Sequence, residues 1–247
     1  MIVVPDPLSL YCDASGNERE PLTVVGGAIA TVQDWIAFAS RWNTALARDG
    51  IEYFRASEFA RSRGQFRNGW EKNASRRDAL VNRLLDAMDG VVKWWFAVAV
   101  RQSEFDKVDL IYELHENFQP FALAGETCID WAFRWREAQR YDYLPLQCFF
   151  ESGDRHWGQM SDRIQERFGE APIPGNKNAP PFQLADFVAY EVRTAFVDLE
   201  VNKEKLFKKF GHRFLLLGGR IQGSWGELTD LSIRTELRRR KIPRRSA

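Results

Sequence analysis

The stretch that most limits how this chain folds is Ser9-Leu10-Tyr11-Cys12-Asp13-Ala14-Ser15-Gly16-Asn17. Leu8, Leu10 and Cys12 alternate with Ser9, Tyr11 and Asp13, the two-residue period of a half-buried strand, and Gly16-Asn17 opens a polar break. The alternation places Asp13 at the end of the strand, on the face opposite Leu10. Two readings of that acid stand side by side. It holds a metal or a proton, or it belongs to a turn in which Asp, Ser, Gly and Asn accept backbone N–H bonds. Whether other acids join Asp13 decides between them.

Further apolar runs supply partners for this strand. Leu22 to Thr31 (LTVVGGAIAT) follows after a short polar connection, which predicts an antiparallel pair, and Gly26-Gly27 marks a bulge or a close backbone approach. No G-x-G-x-x-G or lysine-bearing phosphate loop accompanies those glycines. Val91 to Val100 (VVKWWFAVAV) is the strongest strand pattern, and Leu144 to Phe150 (LPLQCFF) is a fourth, expected beside the first. Between them, Trp35, Phe38, Trp42 and Leu46 recur at helical spacing with Asp34 as a plausible cap and Asp49-Gly50 as a stop. Val81, Leu84, Leu85 and Met88 form another stripe, with Ser75 and Asp78 as its capping arrangement. Helices are expected over about 103–117, which would carry His115 and Glu116, and over 120–140, because Pro120 suits a first turn. A helix over about 157–168 comes next, then a Pro/Gly-rich loop over 169–181 and a helix from Pro181. FLLLGG is expected as an edge element or packed loop, and WGELTDLSIRTELRRRKI as a final helix. Strands alternating with helical stripes predict an α/β fold: a mixed central sheet flanked by helices, with 1–247 as a single domain.

Composition narrows the chemistry. Three cysteines (Cys12, Cys128, Cys148) form no C-x-x-C, and three histidines (His115, His156, His212) lack the spacing of a helical zinc site. Any metal would therefore be held by oxygen. No apolar run reaches the roughly 18 residues of a membrane span and no leader pattern opens the chain, so a cytoplasmic location is expected. The formal net charge is only +1, yet residues 234–245 (RTELRRRKIPRR) carry seven Arg or Lys against one Glu. Such a basic tail from about 234 either meets a polyanion or keeps a solvated terminus soluble. Arg61, Arg63 and Arg67 interleave with Phe66 and Trp70 in RSRGQFRNGWEKN, which reads as an aromatic–basic surface or as an ordinary loop.

The fourth strand ends as the first does, in acids and glycine: Glu151-Ser152-Gly153-Asp154. On the helix after Pro181, Asp186 stands among Ala185, Phe187, Val188 and Ala189, so it is either exposed on a wet face or buried with a partner. SLYCDASGN, FRASEF, FFESGD and PFQLADFVAYE resemble the motifs of the DUF3800 family over about residues 8–195. That family is similar to the RNase H-like superfamily, whose acids on the first strand, a nearby helix, the fourth strand and a late helix hold two divalent metals. The resemblance implies an RNase H-like mixed sheet and assigns Asp13, Glu58, Glu151 and Asp186 as metal ligands. Asp154, Lys177 and Gln183 match further positions near the site. Two departures stand out: Ala14 where Glu is usual, and Arg55 where His is common.

The implied chemistry is Mg2+- or Mn2+-dependent hydrolysis of phosphodiester bonds in DNA or RNA. Asp13 would be the bridging ligand. Lys177 would neutralise a substrate phosphate, while Arg61, Arg63, Arg67 and the basic tail would hold the backbone. Two other classes share these residues: a nucleic-acid-binding or structural protein without turnover, and a hydrolase of a small phosphate ester.

Overall fold

A computed structural model describes residues 6–16, 20–116, 118–151, 157–201 and 212–239. Asp154, residues 202–211 and the tail from 240 onward lie outside them. The chain order is β1 (Leu8–Ser15), β2 (Leu22–Thr31), α1 (Val32–Ala47), α2 (Ala56–Ala60), α3 (Ala74–Asp86), β3 (Trp94–Arg101), α4 (Gln102–Tyr112) and α5 (Pro120–Ala138). There follow β4 (Leu146–Glu151), α6 (Trp157–Phe168), β5 (Ile173–Gly175), α7 (Pro180–Val201), α8 (His212–Arg220), β6 (Gly223–Leu228) and α9 (Asp230–Arg239).

The strands form one sheet in the order β5-β4-β1-β2-β3-β6. β1, β2 and β3 are antiparallel neighbours, while β4 runs parallel to β1, β5 to β4 and β6 to β3. Strands 8–13 and 144–150 therefore lie side by side as expected, with Leu8 opposite Leu146 and Cys12 opposite Phe150. The strand order gives the expected α/β architecture, a mixed central sheet flanked by helices.

The two-residue period of β1 sorts its side chains between two cores. Leu8, Leu10 and Cys12 join Val25, Ile29, Phe96 and Val98 beneath α5, whereas Tyr11 packs on the opposite core with Trp35, Val188 and Val192. α7 lies on β1 and β2 on that second face. Gly26 makes this packing possible: a Cβ there would sit 2.5 Å from the backbone nitrogen of Ala189, closer than any real contact. The double glycine is thus a close approach, and the β1–β2 register runs through it without a bulge.

Several local expectations are corrected. Thr31, not Asp34, caps α1: its hydroxyl accepts the Asp34 N–H (3.2 Å) and donates to the Asp34 carboxylate (2.9 Å). Asn73 caps α3 by accepting the Arg76 N–H at 3.0 Å, in place of the Ser75–Asp78 pair. α4 stops at Tyr112 because Glu113 adopts φ +50°, so His115 and Glu116 fall in a short 3-10 turn. Phe66 and Trp70 are core residues packed on Phe59, not groove lining, and Arg76 covers the Trp70 ring at 4.0 Å. The FLLLGG stretch lies within α8, and β6 precedes the final helix as an edge strand. Among the described residues no helix is long and apolar enough to cross a membrane.

Candidate acid site

β1 and β4 leave the sheet side by side, and the residues one step beyond the Cys12–Phe150 pair are Asp13 and Glu151. Because the strands are parallel, these acids share the face carrying the stacked Tyr11 and Phe149 rings (4.6 Å between centroids). That is the face covered by α7, which brings Asp186 over the same end. Asp13 is buried, and its carboxyl is held well above the usual carboxylate range. Burial is the main cause, followed by the negative charges of Asp186 and Glu151 and a hydrogen bond with Glu151; the Ala14 N–H, 2.7 Å from Oδ1, opposes the shift.

Asp186 is pushed up to about 6, again first by burial. The Ala56 N–H, which donates to Oδ2 at 2.8 Å, and the Arg55 guanidinium pull in the other direction, whereas Glu151 and Glu58 raise it further. Asp186 is thus half-buried and partnered, nearer the second of the two sequence readings than the exposed one. Arg55 supplies positive charge beside Asp186.

Glu58 reaches the group from α2. One of its oxygens, Oε2, is inaccessible to solvent and has no hydrogen-bond partner among the described residues. A Cβ on Gly64 would lie 1.9 Å from that oxygen, so any side chain there would push the Glu58 carboxylate aside, and Gly64 sits at φ +56°, a conformation that favours glycine. The loop after α2 thereby folds over this oxygen and leaves it without a partner among the described residues, a costly state that a cation would relieve.

Gln183 explains how α2 is held there. Its Oε1 accepts the Trp42 indole N–H (2.9 Å) and the Phe54 N–H (2.7 Å), while its Nε2 donates to the Asn178 carbonyl (2.6 Å). One helical turn on, Asp186 takes the Ala56 N–H. Two side chains of α7 therefore grip the segment leading into α2, and the same glutamine ties down the loop bearing Lys177. Lys177 itself is exposed, two residues past Gly175, which pairs with Glu151. It lies at the acid end of the sheet.

The structure thus places Asp13, Glu151, Asp186 and Glu58 within mutual electrostatic influence, pairwise rather than as one tight group. Among the described residues no set of three or more His, Cys, Asp or Glu is drawn close enough to hold an ion. Two groups were not singled out from sequence. Glu191, buried in α7, is pushed up to about 7, mainly by burial and against the pull of Arg213, whose Nε lies 3.1 Å from Oε1. Arg77 covers the Phe59 ring at 4.1 Å. Glu191 closes the PFQLADFVAYE segment, the signal by which it could have been found, whereas Arg77 lies in none of the four motif segments.

No family model matches this chain, and no curated protein matches it. A similar solved structure is that of the PCNA:RNase HII complex from Archaeoglobus fulgidus, at 12% identity over 83% of this chain and 80% of that chain, with a TM-score of 0.45. The strand order, not this distant likeness, carries the fold assignment.

Proposed function

We propose that this chain is a divalent-metal-dependent phosphodiester hydrolase acting on DNA or RNA. The observation that carries the reading is the meeting of Asp13, Glu151 and Asp186 at one end of the sheet, each electrostatically coupled to another, with the orphaned Glu58 oxygen beside them. The resemblance of these four segments to the DUF3800 motifs supports it. All the donors are carboxylate oxygens, the set that suits Mg2+ or Mn2+. Asp13, Glu58, Glu151 and Asp186 would hold the ions, with Asp13 bridging. When bound, such ions would activate the attacking water and stabilise charge on the leaving oxygen.

The protein's own groups set the terms. Asp13 and Asp186 must release protons before they can ligate, so occupancy rises with pH. Gln183 and the Ala56 N–H keep Glu58 and Asp186 in register, and Lys177 would meet a substrate phosphate from the neighbouring loop.

The test is a panel of DNA, RNA, hybrid and simple phosphate-ester substrates with Mn2+ or Mg2+, with and without chelator. Cleavage that stops on chelation is expected, and Asp13→Asn should lower turnover by at least about 100-fold, roughly 2.7 kcal/mol of barrier. Full activity in that variant would remove Asp13 from the reaction. Metal binding without cleavage of any substrate would leave the non-catalytic nucleic-acid-binding reading, and cleavage confined to simple esters the small-ester reading.

A further inference from the structure

Phe59, the neighbour of Glu58 in α2, lies under two guanidinium groups from separate helices. Arg77 of α3 sits 4.1 Å from the ring centroid and Arg213 of α8 sits 5.5 Å from it. Arg77 donates to the Phe59 carbonyl (2.6 Å) and the Ser62 hydroxyl (3.2 Å), both uncharged acceptors. Arg213 is paired with Glu191, and Asp78 attracts Arg77 from a distance. Two cations over one ring repel, and burial together with Arg213 makes Arg77 hold its proton less firmly than usual. Arg61, Arg63 and Arg67 stand exposed on the segment leaving the same helix. Consecutive helical residues project about 100° apart, so the arginines over Phe59 flank the Glu58 carboxylate instead of sharing its side.

Resting on the hydrolase reading above, we propose that Arg77 and Arg213 form a subsite for one backbone phosphate of a nucleic-acid strand, next to the phosphate that reaches the acids. A bidentate guanidinium pair suits a phosphodiester, and the ring beneath keeps both groups raised and oriented. A second anchoring phosphate selects a polymer over a small ester, which has none to offer there.

Binding of a fluorescein-labelled 20-nucleotide DNA or RNA strand to the full chain, followed by anisotropy in chelator between 50 and 300 mM salt, reads this without cleavage. Loss of one phosphate contact on a single strand should lower the slope of log K against log salt by about 0.7. Arg77→Gln should show that loss, Arg77→Lys should restore the slope, and Arg134→Gln should leave it unchanged. Arg134 lies in the last turns of α5, toward the opposite end of β4 from Glu151. Arginine footprinting of the unmodified protein with phenylglyoxal covers the case in which a variant misfolds: the strand should shield Arg77 and Arg213. A wild-type slope in Arg77→Gln, an equal fall in Arg134→Gln, or no shielding would overturn the subsite. If no strand binds at all, the polymer assignment fails, while metal-dependent hydrolysis of simple esters still reports separately on the acid site.

Discussion

Asp186→Asn should make the protein more stable and less able to bind metal, and the size of the first effect follows from the structure. The Asp186 carboxyl moves from 3.8 to about 6 on folding, chiefly because burial disfavours its charged form. At about 1.36 kcal/mol per pH unit, keeping it ionised in the folded state costs about 3 kcal/mol. A raised carboxyl pKa contributes its full share of stability below the unfolded value near 4, and that share is lost as pH climbs through about 6. Asparagine keeps an oxygen for the Ala56 N–H and carries no charge, so the variant should match wild type near pH 4 and exceed it by roughly 1–3 kcal/mol at pH 8. For a chain of this size that is roughly 3–10 °C in melting temperature. Thermal and urea unfolding at pH 4, 6 and 8 in chelator would measure the gap. Adding Mn2+ should then stabilise wild type by about 1.4 kcal/mol per tenfold excess over its dissociation constant and leave the variant unmoved. A variant weaker than wild type by the same amount at pH 4 and pH 8 would refute the reasoning, since charge burial would then play no part.

Gly26→Ala should lower stability by several kcal/mol, because its Cβ would meet the α7 backbone at Ala189, which cannot move aside as a flexible side chain would; equilibrium denaturation of the variant checks this. Gln183→Glu keeps the acceptor for Trp42 and Phe54 but loses the donor to Asn178. Amide exchange should accelerate around 176–179 and stay slow at Phe54, and equal acceleration in both segments would show that the two grips are not separable.

The central sheet was legible because buried strands must announce themselves. Leu8–Cys12, Leu22–Thr31 and Trp94–Val100 are covered on one or both faces, and their apolar residues are the record of that cover. The edges were not. β5 is Ile-Pro-Gly, and β6 contains two glycines and is only partly buried, so neither needs a hydrophobic period. α8 escaped notice because Gly218-Gly219 disfavours a helix in isolation, whereas Phe214 and Leu217 dock into the α7-side core and override that preference. The two strand-end acids were visible from position alone. Glu58 was visible only through its motif, since what makes it unusual is Gly64 closing over it, a contact across a turn that no periodicity encodes. Arg77 and Arg213 come together only in space, over a ring that belongs to a third helix.

The neighbour relations of β1 also bear on how the protein is made. β1 finds β2 within a few residues of synthesis, yet its other edge waits for β4, which begins at Leu146. At ordinary translation rates of about 5–20 residues per second, that edge stays unpaired for roughly 7–25 s on a growing chain. Over that interval a strand of Leu, Tyr and Cys offers its backbone to any other extended segment nearby, a route to association between nascent chains that is separate from the finished protein's stability. Cooler, slower expression with a holding chaperone addresses that interval directly.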